Sequence, residues 1–589
     1  MQINKLFISA VFLLATFSLS ADELSESISH FINEKPEGLS YEIDSETLYS
    51  SKVLQQFYQN RNYAPAWINS KATIWINSNI TPWFNPDSPV RINSDSPAWI
   101  ESDVPVRINS NVLGKNGYVL LDYIRQVSRH GLHPNDYHLI LLEKYIDKTV
   151  LFLTMDTEDM MKLDVLLTDA FLFLGLQLYY GKVNSEKEGG NWKIERKEPE
   201  LQLNLKLEEA LAAGDIANGL NMLAPRYRSY WMMKEDLAFF LSLQDEPWPV
   251  ISCDTTINPG QSNQLLPKIR ERLVKLRYKL SENVSGNYDK DLEKQIRMLQ
   301  KDWGLNADGV IGKGTLLALN TGPGALINRL KVNMERFRWL PLDEPRKYLM
   351  VNIANFDLVL IEGVDTLISM RAIVGKDYRE TPVFNALMTY IVFSPSWTVP
   401  PTILRNDVIP ELLKDPEYLE KKNMKLLRSN GSEIAYNQID WSKISGNNFP
   451  YMVRQNPGSA NALGKVKFMF PNSYNVYIHD TPSRGYFARD DRAMSSGCIR
   501  VEKPFELAEL LLADSPEWPP AKIYTAMQQK REQTANLITP VDVLLIYLTA
   551  WTDGNGRVQF RKDIYVRDKL ILNALNQKSE PEEIKVIPF

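Results

Sequence analysis

Cysteine and histidine are scarce in this chain of 589 residues, which contains two cysteines and five histidines. Two cysteines cannot form a disulfide framework, so a packed core must hold the fold. The net charge of −5 gives no bulk attraction to a polyanion, and no nucleic-acid partner is expected. With 44% hydrophobic and 24% charged residues the composition is that of a globular protein, and the length predicts several domains.

Long apolar runs are also scarce beyond the first residues of the chain. Lys5 precedes an apolar stretch at 6–17, and small residues at 18 and 20 fit a cleavage site. We therefore predict a secretory signal peptide at 1–21. The alternative is an uncleaved anchor, but the apolar stretch is shorter than the roughly 20 residues that span a bilayer. No transmembrane span is expected in the mature form.

One cysteine and one histidine occur together in residues 477–500. His479 follows a strand-like run, and Cys498 lies within Ser-Ser-Gly-Cys-Ile-Arg. A histidine held beside a cysteine can take the thiol proton, which gives a Cys–His dyad for acyl transfer. The N–H groups of Gly497 and Cys498 are candidates for an oxyanion hole, and Arg500 would share a strand face with the thiol and bind a carboxylate. The alternative is that the cysteine and the histidine are ordinary core residues.

This stretch resembles the catalytic motif of the L,D-transpeptidases (YkuD-type), in which a histidine precedes Ser-x-Gly-Cys-hydrophobic-Arg by about fifteen residues. Fifteen residues separate His479 from Ser495. Ser496 before the glycine, Leu-Gly-Lys-Val-Lys-Phe at 463–468 and Asp-Thr-Pro at 480–482 are similar to the large multi-domain Gram-negative members (YcbB-type). The resemblance extends over nearly the whole chain outside the signal peptide and a repeat.

The resemblance implies a catalytic role for four groups. Cys498 would be the nucleophile and His479 the general base. The backbone carbonyl of Asp480 would orient the histidine, with the Asp480 side chain as the other possibility. Gly497 would belong to the oxyanion hole. No metal and no cofactor is implied.

Five further residues are predicted to bind substrate or to line the pocket. The two arginines are candidates for carboxylate binding or for local structure, and the tryptophan, in a Trp-x-x-Pro element, is either a pocket residue or a core residue. The five residues are Arg500, Arg492, Ser496, Trp397 and Tyr477.

The chemistry that the family implies is a transfer between peptidoglycan stem peptides. The thiolate attacks the bond after the third residue, a diamino acid, and D-alanine leaves. The side-chain amine of a second stem then takes the acyl group, which forms a wall cross-link that serves cell shape. Alternatives are an L,D-carboxypeptidase, a transferase that links lipoprotein to the wall, and a non-catalytic wall-binding scaffold. Carbapenems would acylate Cys498, the location would be the periplasm, and a peptidoglycan synthase and a D,D-carboxypeptidase are expected partners.

The predicted fold is a multi-domain α+β protein. It combines a helical scaffold, a small three-helix peptidoglycan-binding module and a β-rich catalytic domain with a capping insertion. The predicted ranges are 22–262 for the scaffold, 263–320 for the module, 345–526 for the catalytic domain with its capping subdomain at 400–465, and 527–589 for C-terminal strands and a helix.

The module is predicted from helical spacing and from a glycine-rich turn. Its Asp-Gly-x-x-Gly-x-x-Thr sequence at 308–315 resembles the signature of peptidoglycan-binding domains. Thr315 is predicted to cap a short last helix. The alternative is a degenerate module that only spaces its neighbours, because resemblance of fold does not prove binding.

An octapeptide repeat occupies residues 66–113, with Trp or Arg recurring every eight positions. Three interpretations stay open: an irregular loop, a small stack of strands and turns, or a tryptophan surface that binds glycan or protein. Beyond the repeat, His130, His133 and His138 raise the question of a metal. Their spacing and the intervening Pro134 do not favour a site.

Overall fold

The computed structural model describes residues 21–34, 40–69, 113–150, 155–196, 201–281, 285–415, 417–445 and 448–579. The predicted signal peptide, except for Ala21, and most of the octapeptide repeat lie outside these ranges. The chain divides into two compact units. The first contains Met1–Lys182, Pro199–Ala224 and Asn576–Phe589, and the second contains Val183–Glu198 and Pro225–Leu575.

The described residues up to 224 are mainly helical, as predicted. In chain order the elements are α1 (Ala21–Asn33), β1 (Glu42–Ile43), β2 (Glu46–Thr47), α2 (Ser51–Asn60), α3 (Lys115–Arg125), α4 (Leu139–Val150), α5 (Thr157–Tyr180), α6 (Ser185–Glu188), β3 (Trp192–Lys193), α7 (Leu203–Ala213) and α8 (Ile216–Asn221). Helix α5 is buried along most of its length, and Asp156 caps it by accepting the Asp159 N–H at 2.8 Å. Within the described ranges, no helix has the length and apolarity needed to cross a membrane.

The described ends of the octapeptide repeat are anchored on α5. The buried Asp164 carboxylate accepts the backbone N–H groups of residues 66–68 at 2.8–3.1 Å. Trp67, the first tryptophan of the repeat, is 2% exposed. Ile68 pairs with Leu113 in an isolated β-bridge, so the two flanks of the repeat lie side by side. Trp67 is therefore a core residue rather than part of a binding surface, and the repeat's other tryptophans lie outside the described residues.

Five helices follow, and the middle three form the predicted module. They are α9 (Arg228–Ser242), α10 (Leu266–Lys275), α11 (Lys290–Asp302), α12 (Lys313–Asn320) and α13 (Pro323–Arg338). Helices α10, α11 and α12 share one apolar core, to which Ile269, Ile296 and Leu319 contribute. The prediction that Thr315 caps α12 is wrong: the helix starts after Gly312, and Thr315 Oγ1 donates to the Val310 carbonyl at 3.1 Å.

The catalytic region is β-rich. Its strands are β4 (Lys347–Asn352), β5 (Asp357–Glu362), β6 (Asp365–Gly375), β7 (Val383–Phe393), β8 (Trp397–Thr398), β9 (Met424–Leu427), β10 (Glu433–Ile434), β11 (Met452–Gln455), β12 (Val466–Met469), β13 (Ile478–His479), β14 (Ala493–Ser495), β15 (Ile499–Val501), β16 (Gln533–Ile546), β17 (Ala550–Thr552) and β18 (Val558–Phe560). Its helices are α14 (Pro401–Ile403), α15 (Ile409–Lys414), α16 (Tyr418–Lys421), α17 (Pro504–Leu511), α18 (Pro520–Gln528) and α19 (Asp568–Asn576).

The main sheet closes on itself. Its strand order is β12-β13-β15-β6-β5-β4-β16-β7, and β12 also pairs with β7, while β3 and β14 add to β7 and β6. Strand β16 lies between β4 and β7 in this order, so the sheet extends beyond residue 526, the predicted end of the catalytic domain. The hydrophobic pattern of β16 does not follow one period, because exposed residues alternate with others in its first half while its last four residues are all buried.

The capping subdomain has a core of its own. A four-stranded sheet of order β10-β9-β11-β8 packs with α14–α16 around Val408, Leu412, Leu426 and Val453. It enters from β7 and leaves into β12, which are hydrogen-bonded neighbours in the main sheet. The mixed helical and β architecture, with a small helical module and a β-rich catalytic region, confirms the predicted fold class.

Candidate functional site

The central feature of the site is the parallel pairing of β13 with β15. Ile478 pairs with Ile499, and His479 pairs with Arg500. The Ile499 N–H donates to the Tyr477 carbonyl at 3.1 Å, which continues the pairing to Cys498. Because side chains alternate along strands, the two isoleucines point to the core face while Tyr477, His479, Cys498 and Arg500 share the other face. Two chain segments separated by about twenty residues are thereby brought together.

His479 is 4% exposed, and its orientation is set by its own chain. Its Nδ1 lies 2.5 Å from the backbone oxygen of Asp480. A carbonyl oxygen can only accept, so Nδ1 carries the proton and Nε2 keeps a lone pair. Burial, together with the nearby Arg500 guanidinium, lowers the pKa of His479 to about 3, although the backbone of Asp480 raises it in part. The imidazole is therefore neutral at physiological pH and able to accept a proton.

The Asp480 side chain does not orient the histidine. Its Oδ2 accepts the Lys465 N–H at 2.9 Å, and its Oδ1 lies 3.0 Å from the Arg484 guanidinium. Gly464 adopts φ +64°, and a Cβ at that residue would lie 2.4 Å from the Asp480 carboxylate. The carboxylate thus fixes the turn that enters β12. Of the two roles considered for Asp480, the geometry matches the backbone carbonyl.

The loop that carries the cysteine is braced by hydroxyl groups. Ser495 Oγ donates to the Cys498 carbonyl at 2.6 Å and accepts the Gly497 N–H at 3.1 Å. Thr381 Oγ1 donates to the Gly497 carbonyl at 2.8 Å. Gly497 has φ +110°, a conformation that side-chain-bearing residues rarely adopt. Because Ser495 accepts the Gly497 N–H, this donor would have to leave Ser495 to hold an oxyanion, and the predicted oxyanion role of Gly497 stays a prediction.

Cys498 faces a polar and aromatic environment. Its sulfur lies 3.8 Å from the Asn475 carbonyl oxygen. Burial raises the pKa of the Cys498 thiol above its ordinary value, and hydrogen bonding to Tyr477 and the charge of Arg500 offset part of that rise. The ring of Tyr477 packs edge-on against His479 with centroids 5.6 Å apart. In the resting state the thiol and the imidazole are therefore both neutral.

Arg500 is a half-buried cation that forms no ion pair with the residues that the structure describes. Its Nε is buried and has no hydrogen-bond acceptor among the residues that the structure describes. Burial lowers the pKa of Arg500, although Cys498, Tyr486 and Tyr477 oppose this. A buried guanidinium left unpaired favours binding of an anion. This geometry is compatible with the predicted carboxylate contact.

Of the two roles predicted for Arg492, carboxylate binding and local structure, its contacts match local structure. Its three guanidinium nitrogens donate to the backbone carbonyls of Ala372, Arg489 and Phe356 at 3.2, 2.7 and 3.1 Å. The guanidinium also lies over the Phe356 ring, 5.3 Å from its centroid. Each guanidinium nitrogen thus already donates to a backbone carbonyl, and Arg492 holds the start of β14 against its neighbours. This is a structural role rather than a contact with substrate.

Ser496 and Trp397 lie where the capping subdomain approaches the cysteine loop. Ser496 Oγ accepts from Arg379 at 2.9 Å, and the same guanidinium nitrogen pairs with Asp407 of the capping subdomain at 2.7 Å. Trp397 begins that subdomain as β8 and packs against its core. Burial and the neighbouring Cys498 raise the pKa of the Tyr477 hydroxyl, and a hydrogen bond to Trp397 offsets part of that rise.

A cleft of about 350 Å³ opens beside the cysteine loop. Ser496, Gly497 and Cys498 form one wall, and residues far away in sequence form the rest: Asn191, Lys193, Glu380, Pro382, Tyr474, Asn475 and Val476. The sequence motif gave no indication of the residues from β3 or from the 380–382 turn. No composition or spacing signal links these segments, because their proximity depends on the pairing of β3 with β7.

The three clustered histidines do not converge on a metal. His138 is buried between Asp169 at 2.8 Å and Glu46 at 3.2 Å. His130 contacts Tyr123 at 3.1 Å, and His133 accepts the Asn135 N–H. Among the described residues, no group of three or more His, Cys, Asp or Glu side chains is placed to hold a metal ion. Cys253 and Cys498 are both free thiols.

Comparison with known families identifies three segments. The profile of the L,D-transpeptidase catalytic domain (YkuD) matches residues 346–535, a scaffold-domain profile matches 93–237, and the profile described as "Putative peptidoglycan binding domain" matches 262–319. The first match contains His479 and Cys498. The chain is therefore a multi-domain protein with a YkuD L,D-transpeptidase catalytic domain and a peptidoglycan-binding domain.

One curated relative, from Haemophilus influenzae, is named "Putative L,D-transpeptidase". It is 36% identical over 246 residues, which cover 42% of this chain and 49% of that protein. The match thus spans about half of the relative's length.

Two solved structures of L,D-transpeptidases also match. The one from Xylanimonas cellulosilytica is 14% identical and covers 50% of this chain and 100% of its own, with a TM-score of 0.17. The one from Stackebrandtia nassauensis is 13% identical and covers 49% and 94%, with a TM-score of 0.20.

Proposed function

We propose that this chain, which contains an L,D-transpeptidase catalytic domain, cross-links peptidoglycan stem peptides through an acyl-enzyme on Cys498. The observation that carries the proposal is the β13–β15 pairing, which aligns His479, Cys498 and Arg500 on one face. A neutral imidazole, a thiol and an unpaired cation in one site are the groups that thiol-mediated acyl transfer from an anionic peptide requires.

Acylation starts from two neutral partners. The Cys498 proton passes to Nε2 of His479 as sulfur bonds to the carbonyl carbon of the third stem residue. The bond from that carbon to the nitrogen of D-alanine then breaks, and His479 returns the proton to the departing amine. A positioned base of this kind typically contributes about 10²–10⁴-fold in rate. The low pKa of His479 keeps it in the accepting form before attack.

Deacylation transfers the acyl group from Cys498 to a second substrate, again with His479 as the base. The side-chain amine of another stem gives its proton to His479 and attacks the thioester carbon, and the thiol leaves with that proton. Arg500 binds a substrate carboxylate during both steps. The product joins the third residues of two stems. Water as acceptor would give a carboxypeptidase instead, and a protein amine would link lipoprotein to the wall.

The capping subdomain favours transfer over hydrolysis by covering the thioester. Trp397 forms a hydrogen bond with Tyr477, and Arg379 bridges Asp407 of the capping subdomain and Ser496. An enclosed site excludes water that would compete with the acceptor amine.

The proposed location is the periplasm, where peptidoglycan lies, and this agrees with the signal peptide predicted from the sequence. The peptidoglycan-binding domain at 262–319 supports the wall as partner. We further propose that a D,D-carboxypeptidase supplies the tetrapeptide donor, that a peptidoglycan synthase acts alongside, and that carbapenems acylate Cys498.

The test is product analysis with purified protein and disaccharide-tetrapeptide. Wild type should release D-alanine and form a cross-linked dimer, and the C498A variant should form neither while keeping its melting temperature. Tripeptide without dimer would favour the carboxypeptidase. If wild type gives no product and a carbapenem leaves Cys498 unmodified, the enzyme proposal fails and a wall-binding scaffold becomes the better account.

A further inference from the structure

The cleft beside Cys498 includes a segment from outside the matched catalytic domain. Strand β3 lies more than 150 residues before that domain's first matched residue, yet it pairs in parallel with β7. Trp192 pairs with Val383, and Lys193 pairs with Phe384. The main sheet therefore gains an edge strand from a distant part of the chain, and that strand reaches the cleft.

This edge strand is held firmly. Trp192 is 2% exposed and packs edge-on against Trp339 with ring centroids 5.2 Å apart. Just beyond the strand, the Glu195 N–H donates to Asn385 Oδ1 at 2.8 Å, and Asn385 Nδ2 donates back to the Glu195 carbonyl at 2.9 Å. Because neighbouring strand residues face opposite ways, the burial of Trp192 turns Lys193 outward to the cleft.

The charged side chains that line the cleft include one cation without a counter-ion among the described residues. Glu380 is paired with Arg567 and accepts a hydrogen bond from Asn191 at 3.4 Å, so its charge is already balanced. Lys193 is exposed and forms no ion pair with any residue in the described part of the chain. The amides of Asn191 and Asn475 add further polar groups to the same walls.

We infer that this cleft binds a carboxylate of the peptide substrate through Lys193. The inference rests on the proposed function, because it assigns a second anchoring point to the same reaction. The cleft is adjacent to the thiol through Asn475, whose carbonyl oxygen is 3.8 Å from the Cys498 sulfur. It is separate from the Arg500 contact, since Arg500 does not line this cleft. A stem peptide offers carboxylates that include one at its C-terminus and one on the third residue, and a carboxylate is the ligand chemistry that Lys193 fits.

The test measures binding in a C498A background, so that it does not depend on turnover. Calorimetry would compare stem tetrapeptide with two analogues, one amidated at the C-terminus and one amidated on the third residue. The C498A/K193Q protein should bind the unmodified peptide about three- to fivefold more weakly, the range expected for an exposed ion pair. The loss should be larger for K193E and should shrink in 1 M salt. Lys530→Gln is the matched control, because Lys530 is exposed and does not line the cleft.

The analogues identify which carboxylate is bound. The amidated peptide that lacks the relevant carboxylate should bind C498A and C498A/K193Q equally. Equal loss on K193Q for all three peptides, or no loss for any, would overturn the assignment to Lys193. Transfer activity in wild type together with unchanged peptide binding in K193Q would refute this inference alone. Carboxylate-dependent binding through Lys193 in C498A, together with no acyl-enzyme formation by wild type, would refute the proposed function alone.

Discussion

Replacing Thr381 with valine should damage both stability and acylation, although Thr381 lies outside the His–Cys motif. Its hydroxyl donates to the Gly497 carbonyl at 2.8 Å and accepts the Gly375 N–H at 2.9 Å. Thr381 is fully buried. Valine has nearly the same shape, so the substitution removes the two hydrogen bonds while it keeps the packing.

The size of the effect follows from what is left unpaired. A buried donor or acceptor without a partner costs about 1–3 kcal/mol, and Thr381→Val leaves one of each, at Gly375 and Gly497. Because the loop can relax in part, we expect the free energy of unfolding to fall by about 2–4 kcal/mol. Since Gly497 precedes the nucleophile, we expect a displacement of about 1 Å to lower the acylation rate by roughly a hundredfold.

Urea denaturation would measure stability, and the rate of Cys498 acylation would be followed by intact-protein mass. Thr381→Ser is the matched control, because it keeps the hydroxyl and loses only a methyl group; it should stay within about 1.5 kcal/mol of wild type. If Thr381→Val matched wild type in both stability and acylation, the bracing role of Thr381 would be refuted.

Three further predictions concern other charged groups. Burial alone would lower the pKa of His138, but Asp169 and Glu46 raise it to about 9. The stability that His138 contributes should therefore be full below pH 6.5, and the free energy of unfolding should fall by roughly 3 kcal/mol as the pH rises through 9. A urea-unfolding series that is flat over this pH range, or equally steep in His138→Gln, would contradict this prediction. Arg500→Met should reduce acylation more than tenfold and, because Arg500 lowers the pKa of His479, should raise that pKa; an unchanged pH–rate profile would be the contrary result. Asp302→Asn should lower the free energy of unfolding by about 2–4 kcal/mol, since Asp302 pairs with Arg557 and accepts from Tyr278 at 2.7 Å; an unchanged melting temperature would contradict this.

The part of the site that sequence could predict is the part encoded locally. His479, Cys498 and Arg500 stand at fixed spacings, and strand periodicity places the last two on one face. The role of Arg492 could not be obtained in this way, because spacing does not reveal that three backbone carbonyls lie within its reach. The same applies to Gly497, whose N–H is taken by the Ser495 hydroxyl.

Site residues from distant segments could not be predicted from the sequence for a different reason. Lys193 enters the site only because β3 pairs with β7, and Thr381 enters it because the turn between β6 and β7 packs against the cysteine loop. Such long-range pairing depends on tertiary packing, here the burial of Trp192, and a single sequence contains no periodic signal for it. The overall architecture was easier to predict, because the helical module and the β-rich region each have their own local patterns.

The most direct test of the account is the mass of the intact protein after brief incubation with disaccharide-tetrapeptide. The account predicts an added mass equal to the substrate minus D-alanine, located on Cys498 by peptide mapping. The adduct should be absent in C498A and strongly reduced in His479→Ala, which should also keep its fold. An adduct on another residue, or transfer activity that persists in C498A, would contradict the central claim.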